Sequence, residues 1–146
     1  MLEIRRASLE ERKSVREVYA SIAGEGAAFD EAHLDRLIRD GGVLVAEGAA
    51  GVIGFGSIEV GATEQIKWLY VLPEHQGGGI GSEMLKQLEG MGWEAGLNSI
   101  RLHAVSGAVG FYRRNGYREV APGEEVGHDH DGVEMVKERG REGGPD

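Results

Sequence analysis

Cysteine is absent from all 146 residues. That excludes a disulfide framework, a thiolate zinc site and a cysteine nucleophile. Long apolar runs are missing too, since none approaches the roughly 20 residues that a membrane-spanning helix needs. The opening Met-Leu-Glu-Ile-Arg-Arg lacks the hydrophobic region of a secretory signal. A cytoplasmic location is therefore expected, with no membrane partner. Basic charge is scarce: Lys and Arg number 16 against 25 Asp and Glu, a net charge of −9. From Glu119 onward nine acids meet three bases, so −6 of the −9 lies in the last 28 residues. Such a surface repels a phosphate backbone and attracts cations, which makes nucleic acid a poor partner and an amine a compatible one. Solubility accounts for the charge equally well.

What is present suffices for one domain. Apolar residues make up 40% of the chain, enough for a single core. Leu2 to Arg6 reads as a strand. Ser8 and Glu11 form a capping-box pattern, and Val15, Val18, Tyr19 and Ile22 recur at helical spacing, which predicts a helix over Leu9 to Ile22. A second helix follows Asp30, with Leu34, Leu37 and Ile38 inward and Gly41-Gly42 as its stop. Val43 to Ala46 and Val52 to Val60 form a hairpin, and Ile66 to Val71 is a third, nearly continuous apolar strand. Met84, Leu85, Leu88 and Met91 stripe the next helix. A strand over Ser99 to Val105, a short helix over Ala108 to Arg114, and strands near Tyr117 to Val120 and Val133 to Glu138 complete the pattern. The domain is expected to cover 1–138, with 139–146 a polar, frayed tail.

Between the Ile66 to Val71 strand and the following helix lies Val71-Leu-Pro-Glu-His-Gln-Gly-Gly-Gly-Ile-Gly81. A glycine-dense turn opening a helix leaves backbone N–H groups unpaired where the helix dipole favours negative charge, a setting suited to a pyrophosphate. Glycine lets the backbone approach closely and take positive φ. The dinucleotide fingerprint is not met, because position 82 is Ser82, and no lysine supplies a nucleotide-triphosphate loop. The match is Gln/Arg-x-x-Gly-x-Gly/Ala through Gln76, Gly79 and Gly81, after Val71 and Pro73. Further on, Ala108, Phe111, Tyr112, Gly116 and Tyr117 fill Ala-x-x-Phe-Tyr-x-x-x-Gly-Tyr. In these two motifs and their order the chain resembles the GNAT superfamily of N-acetyltransferases, loosely from Glu3 to Lys137.

The resemblance implies an α/β (α+β) fold: a mixed, mostly antiparallel sheet of about six to seven strands flanked by four helices. It implies an enzyme that moves an acetyl group from acetyl-CoA to a primary amine of a small molecule or peptide, by direct attack on the thioester. Cofactor contacts then map onto Leu69 and Val71 for the pantetheine arm. For the pyrophosphate they map onto Gln76, Gly77, Gly78, Gly79, Ile80, Gly81 and Ser82, with Ser106 and Phe111 beside the cofactor. Ser106 or Val105 stands where many relatives carry an asparagine. Tyr112 maps onto the general acid, since a phenol with pKa near 10 can protonate a departing thiolate. Packing beneath the sheet is the other role open to Phe111 and Tyr112. An amine is mostly protonated near neutrality, so a base is needed: Glu64 is the first choice, with Glu59 and His103 as competitors.

The acceptor pocket is expected from Ala23 to Phe29 and the last hairpin, with Glu25 and Phe29 its distinctive residues. His128-Asp-His-Asp131 has the chemistry of a metal cluster, but neighbours in a short turn seldom converge on one ion, so no metal is expected. A homodimer is compatible with the family. The competing function is a non-catalytic acyl-CoA-binding sensor. Action on charged tRNA is disfavoured by the acidic pI near 5.1.

Overall fold

Ser8 and Glu11 meet as the expected capping box brings them: the Ser8 N–H donates to Glu11 Oε1 at 2.9 Å, one arm of the box, and the Glu11 N–H donates to the Ser8 backbone carbonyl at 3.0 Å. This tight entry makes the first turn, Leu9–Glu11, a 3-10 turn before the α-helix proper. The computed structural model describes residues 2–121 and 132–140, Ser106 without its side chain. By contact these fall into two compact units. One is drawn from Met1–Ile58 and Trp68–Leu88, the other from Glu59–Lys67 and Glu89–Asp146.

In the first unit, β1 (Glu3–Arg6) is followed by α1 (Arg12–Ala23) and α2 (Glu31–Arg39). Asp30 caps α2 by accepting the His33 N–H at 3.0 Å. The hairpin β2 (Val43–Gly48) and β3 (Gly51–Ser57) and the short β4 (Leu69–Val71) complete an antiparallel sheet in the order β1-β2-β3-β4. Val15, Val18, Leu34 and Leu37 meet Val43, Val45 and Phe55 in a core of side chains at most 3% exposed. Each such burial is worth about 1.5–3 kcal/mol. Trp68 joins this core, and its N–H donates to the buried Ser57 hydroxyl at 3.3 Å.

Away from this core β3 carries glycine at positions 54 and 56. A Cβ on Gly54 would stand 2.8 Å from the Tyr70 carbonyl oxygen, and one on Gly56 2.9 Å from Leu88 Cδ1. Leu88 lies on α3 (Ile80–Glu94), whose Met84, Leu85 and Leu88 are fully buried as the stripe predicts; Met91 is only half-buried. Gly42, just before β2, is tighter still: a Cβ there would lie 2.4 Å from the Ile58 carbonyl oxygen.

The second unit holds the end of α3, then β5 (Ser99–Ala104), α4 (Val109–Arg114), β6 (Arg118–Glu119) and β7 (Val133–Glu138). Its sheet is antiparallel in the order β5-β7-β6. Strict alternation along β5 buries Ile100, Leu102 and Ala104 and leaves Arg101 and His103 on the other face.

Among the described residues the α/β class, the antiparallel pairing, the seven strands and the four α-helices are as expected, but the ladder forms two sheets. The expected strand Ile66–Val71 is where this division falls. Ile66 makes one parallel bridge to Leu102 and belongs to the second unit, whereas Leu69–Val71 pairs with β3 in the first. A chain that changes partner within three residues cannot be one strand, however apolar it is. The strand expected over Val52–Val60 ends at Ser57 for a related reason: the Ile58 N–H donates to Gly42 O, and the Glu59 N–H to Gln65 O. In the expected tail, Arg139 is tied by its N–H to the Asn98 carbonyl at 2.8 Å, while 141–146 lie outside the described residues.

Candidate active site

β4 is the last strand of its sheet, and its register decides which groups remain available. The Ser57 N–H donates to Trp68 O, and the Leu72 N–H to Ile53 O. With Tyr70 directly opposite Phe55, the even-numbered residues 68–72 spend their peptide groups on β3. Leu69 and Val71, the two residues expected to meet the pantetheine arm, turn theirs to the outer edge. There Gln76 reaches back, its Nε2 donating to the Val71 carbonyl at 2.8 Å.

After β4, Pro73–His75 forms a 3-10 turn, the chain extends at Gln76, and Gly77 and Gly79 take φ of +90° and +87°. Both conformations suit glycine and strain any other residue. A Cβ on Gly77, Gly78 or Gly79 would meet nothing within 4 Å, so the space over the loop is open. The Gly79 carbonyl accepts the Glu83 N–H at 3.0 Å as α3 begins. None of the N–H groups of Gly77, Gly78, Gly79, Ile80, Gly81 and Ser82 finds a backbone acceptor among the described residues. The loop is thus a run of amide donors leading into a helix N-terminus, an anion-binding arrangement.

Phe29, expected in the acceptor pocket, lines an open groove of about 440 Å³ with Lys13, Arg16, Tyr19, Ala27 and Glu31. Its ring also packs on Tyr19 (4.7 Å between centroids) and Trp68 (5.0 Å), so half of its role is core. Glu25 is exposed and does not line that groove. Tyr70 on β4 has its phenol pushed to a higher pKa by burial, reinforced by Tyr19.

In the second unit, Tyr112 stands mid-way along α4 and is 8% exposed. Its ring meets Phe111 and Tyr117 edge-on, at 5.1 and 5.6 Å. The Tyr117 hydroxyl donates to Glu89 Oε2 at 2.8 Å, and Lys137 Nζ lies 2.9 Å from Glu89 Oε1. Glu64 and His103, competitors for the base role, come together: His103 Nδ1 lies 2.5 Å from Glu64 Oε2. Glu59 is not part of this contact. Ser106 opens a 3-10 turn, Ser106–Ala108, and its side chain lies outside the described atoms.

The acetyltransferase (GNAT) domain model matches residues 39–119, more than half of the chain. The chain belongs to the GNAT acetyltransferase family. It is accordingly an acyltransferase.

Solved structures of the family share its fold. A PaiA N-acetyltransferase from Thermoplasma acidophilum, crystallised with coenzyme A, has 22% identity and a TM-score of 0.72, over 94% of this chain and 99% of that one. A GNAT acetyltransferase from Staphylococcus aureus Mu50 has 16% identity and a TM-score of 0.79, over 94% and 99%. N-acetylglutamate synthase from Neisseria gonorrhoeae, complexed with coenzyme A and N-acetyl-glutamate, has 14% identity and a TM-score of 0.78. There the match covers 94% of this chain but only 35% of the other. No curated protein matches the sequence.

Three groups around these side chains escape a reading by motif. Glu134 and Gln65 flank the Glu64–His103 contact, and Glu89 pairs with Lys137 inside the fold. One signal for the last pair was visible: Glu89 follows Leu85 by four residues on the apolar stripe, and Lys137 shares the inward register of Met135. The His128–Asp131 segment lies outside the described residues. Among those described, no group of three His, Asp or Glu is arranged to hold a metal ion, and no helix is long and apolar enough to cross a membrane.

Proposed function

We propose that this chain transfers an acetyl group from acetyl-CoA to a primary amine of a small molecule or peptide, acting in the cytoplasm. The observation that carries the reading is the run of N–H groups from Gly77 to Ser82 that find no backbone acceptor among the described residues, with open space over Gly77 to Gly79, directly after the edge strand β4. The run suits a pyrophosphate, and the Leu69 and Val71 peptide groups suit the amides of a pantetheine arm, which would add like a half-strand. Coenzyme A offers both chemistries in one molecule. Its presence in the crystals of the Thermoplasma and Neisseria relatives supports the same assignment.

The neutral amine attacks the thioester carbonyl, the carbon–sulfur bond breaks, and the departing sulfur takes a proton from the Tyr112 phenol. Glu64 accepts the proton of the incoming ammonium. Phe29 and Glu25 contribute to the acceptor pocket, and Ser106 and Phe111 border the cofactor. An acidic surface favours a cationic acceptor.

Calorimetric titration with acetyl-CoA tests the reading. Saturable one-to-one binding supports it, and thiol release on adding amines then establishes transfer. Absence of heat at millimolar acetyl-CoA reduces the loop to a turn and removes the proposal. Binding without thiol release across a broad amine panel would instead mark a cofactor sensor.

A further inference from the structure

Glu64 is held in place by its neighbour. Gln65 sits at the outer edge of β5, the end strand of its sheet, where its side-chain carbonyl accepts the Arg101 N–H at 2.8 Å. Its own N–H and that of Ile66 donate to the Arg101 carbonyl at 3.1 and 3.2 Å. Gln65 Nε2 folds back on the Ala62 carbonyl at 2.6 Å. The 59–66 segment is thereby stitched to β5, with Glu64 over His103. Beyond the imidazole, Glu134 Oε1 on β7 lies 3.7 Å from His103 Nε2, and Arg101 Nη1 donates to Glu134 Oε2 at 3.0 Å. Exposure falls along this line: the side chains of Glu64, His103 and Glu134 are 23%, 13% and 6% exposed. A carboxylate at the surface, an imidazole behind it and a buried carboxylate at the end is a proton-accepting arrangement, since each carboxylate stabilises the imidazolium.

We propose that Glu64, His103 and Glu134 act as one proton acceptor for the incoming amine, assembled by Gln65 as a positioning residue. The proposal rests on the acetyltransferase reading and deepens it. The ammonium gives its proton to the Glu64–His103 pair, and its nitrogen, now neutral, forms the bond to the acetyl carbon as the carbon–sulfur bond breaks. The imidazolium left behind is flanked by Glu64 and Glu134 and returns its proton to water after product leaves. Arg101 holds Glu134 in place.

The test compares two small acceptors of similar size and different basicity. Methylamine, like lysine, is mostly protonated near neutral pH, whereas the nitrogen of hydroxylamine is already neutral, so only methylamine needs the array. Acetyl-CoA calorimetry comes first, and a wild-type protein that fails to bind overturns the acetyltransferase reading itself. Given binding, thiol release is measured with both acceptors for wild type, Glu64→Gln, His103→Asn and Gln65→Ala. The methylamine-to-hydroxylamine ratio of kcat/KM is expected to fall by roughly a hundredfold in each variant, the scale of general base catalysis. An unchanged ratio, or a wild type that uses hydroxylamine but not methylamine, overturns the proposal. Glu64→Gln keeps the side-chain shape, so it remains informative if Gln65→Ala unfolds. Imidazole nitrogen spectra give a readout apart from activity: the His103 Nδ1 resonance should move in Glu64→Gln and Gln65→Ala, and its constancy would show that the pair does not interact.

Discussion

Glu89 on α3 and Lys137 on β7 face each other at 2.9 Å, each with only 6% of its side chain exposed. The second Glu89 oxygen takes the Tyr117 hydroxyl, and Lys137 lies 5.8 Å from the centre of the Tyr117 ring. Both charges are desolvated and each is answered. Removing one partner strands the other, at a cost of about 3–5 kcal/mol, whereas removing both costs far less. Lys137→Met should therefore lower the urea unfolding free energy by that amount, and adding Glu89→Leu should restore part of it. Equal losses in the single and double variants would show that the pair contributes only bulk.

The glycines at close approaches should not tolerate a methyl group. Gly56→Ala pushes on Leu88, Leu69 and the Trp68 carbonyl at once, and overpacking of this kind costs about 1–3 kcal/mol. Gly42→Ala meets a carbonyl oxygen that cannot rotate away and should cost more than Gly56→Ala. Thermal denaturation of the two variants checks the order. Gly78→Ala, with open space around it, is the control that should leave the midpoint nearly unchanged.

Acid stability should carry a signature of Glu11. Arg5 donates to both of its oxygens, at 2.9 and 2.5 Å, and to Glu47 at 2.6 Å. These hydrogen bonds hold the Glu11 carboxyl below the usual carboxylate range, against the opposing effect of burial. A depressed carboxyl contributes stability present above its unfolded pKa of about 4.3 and lost as pH falls through its lower folded value. Glu11→Gln should flatten that acid-side decline. Unfolding midpoints that fall with the same slope in wild type and variant would show the contact to be inert.

If Tyr112 is the acid, Tyr112→Phe keeps the edge-on packing with Phe111 and Tyr117 and loses only the proton. Turnover should drop by roughly a hundredfold while acetyl-CoA affinity holds. Unchanged turnover removes Tyr112 from the mechanism.

Local chemistry was legible in the sequence wherever one residue's demand is met by its near neighbours. The Ser8–Glu11 box, the Asp30 cap and the burial of Val15, Leu34, Met84 and Leu88 are of this kind, as is the glycine loop from Gln76 to Gly81. Where two distant segments must agree, the sequence was silent. Ile66 and Leu69 look alike in an apolar run, and only the register of Leu102 and Gly56 assigns them to different sheets. Glu64 and His103 were legible as separate candidates, but their meeting depends on Gln65 acting as a substitute strand on β5, which no periodicity encodes. Glu89 and Lys137 read as charges interrupting apolar patterns, and each makes sense only beside the other.

Gly56 puts no side chain between β3 and α3, so Leu88 descends onto main chain there. The seat of α3 is thus gauged by peptide atoms, which cannot shrink or swell through ordinary substitution as a leucine or valine can. Whatever drift the rest of the core undergoes, the approach of Leu88 to β3 stays limited by the missing methyl group of Gly56. Over evolutionary time, the placing of the helix that follows the glycine loop is thus constrained on the strand behind it, at a residue outside the loop itself.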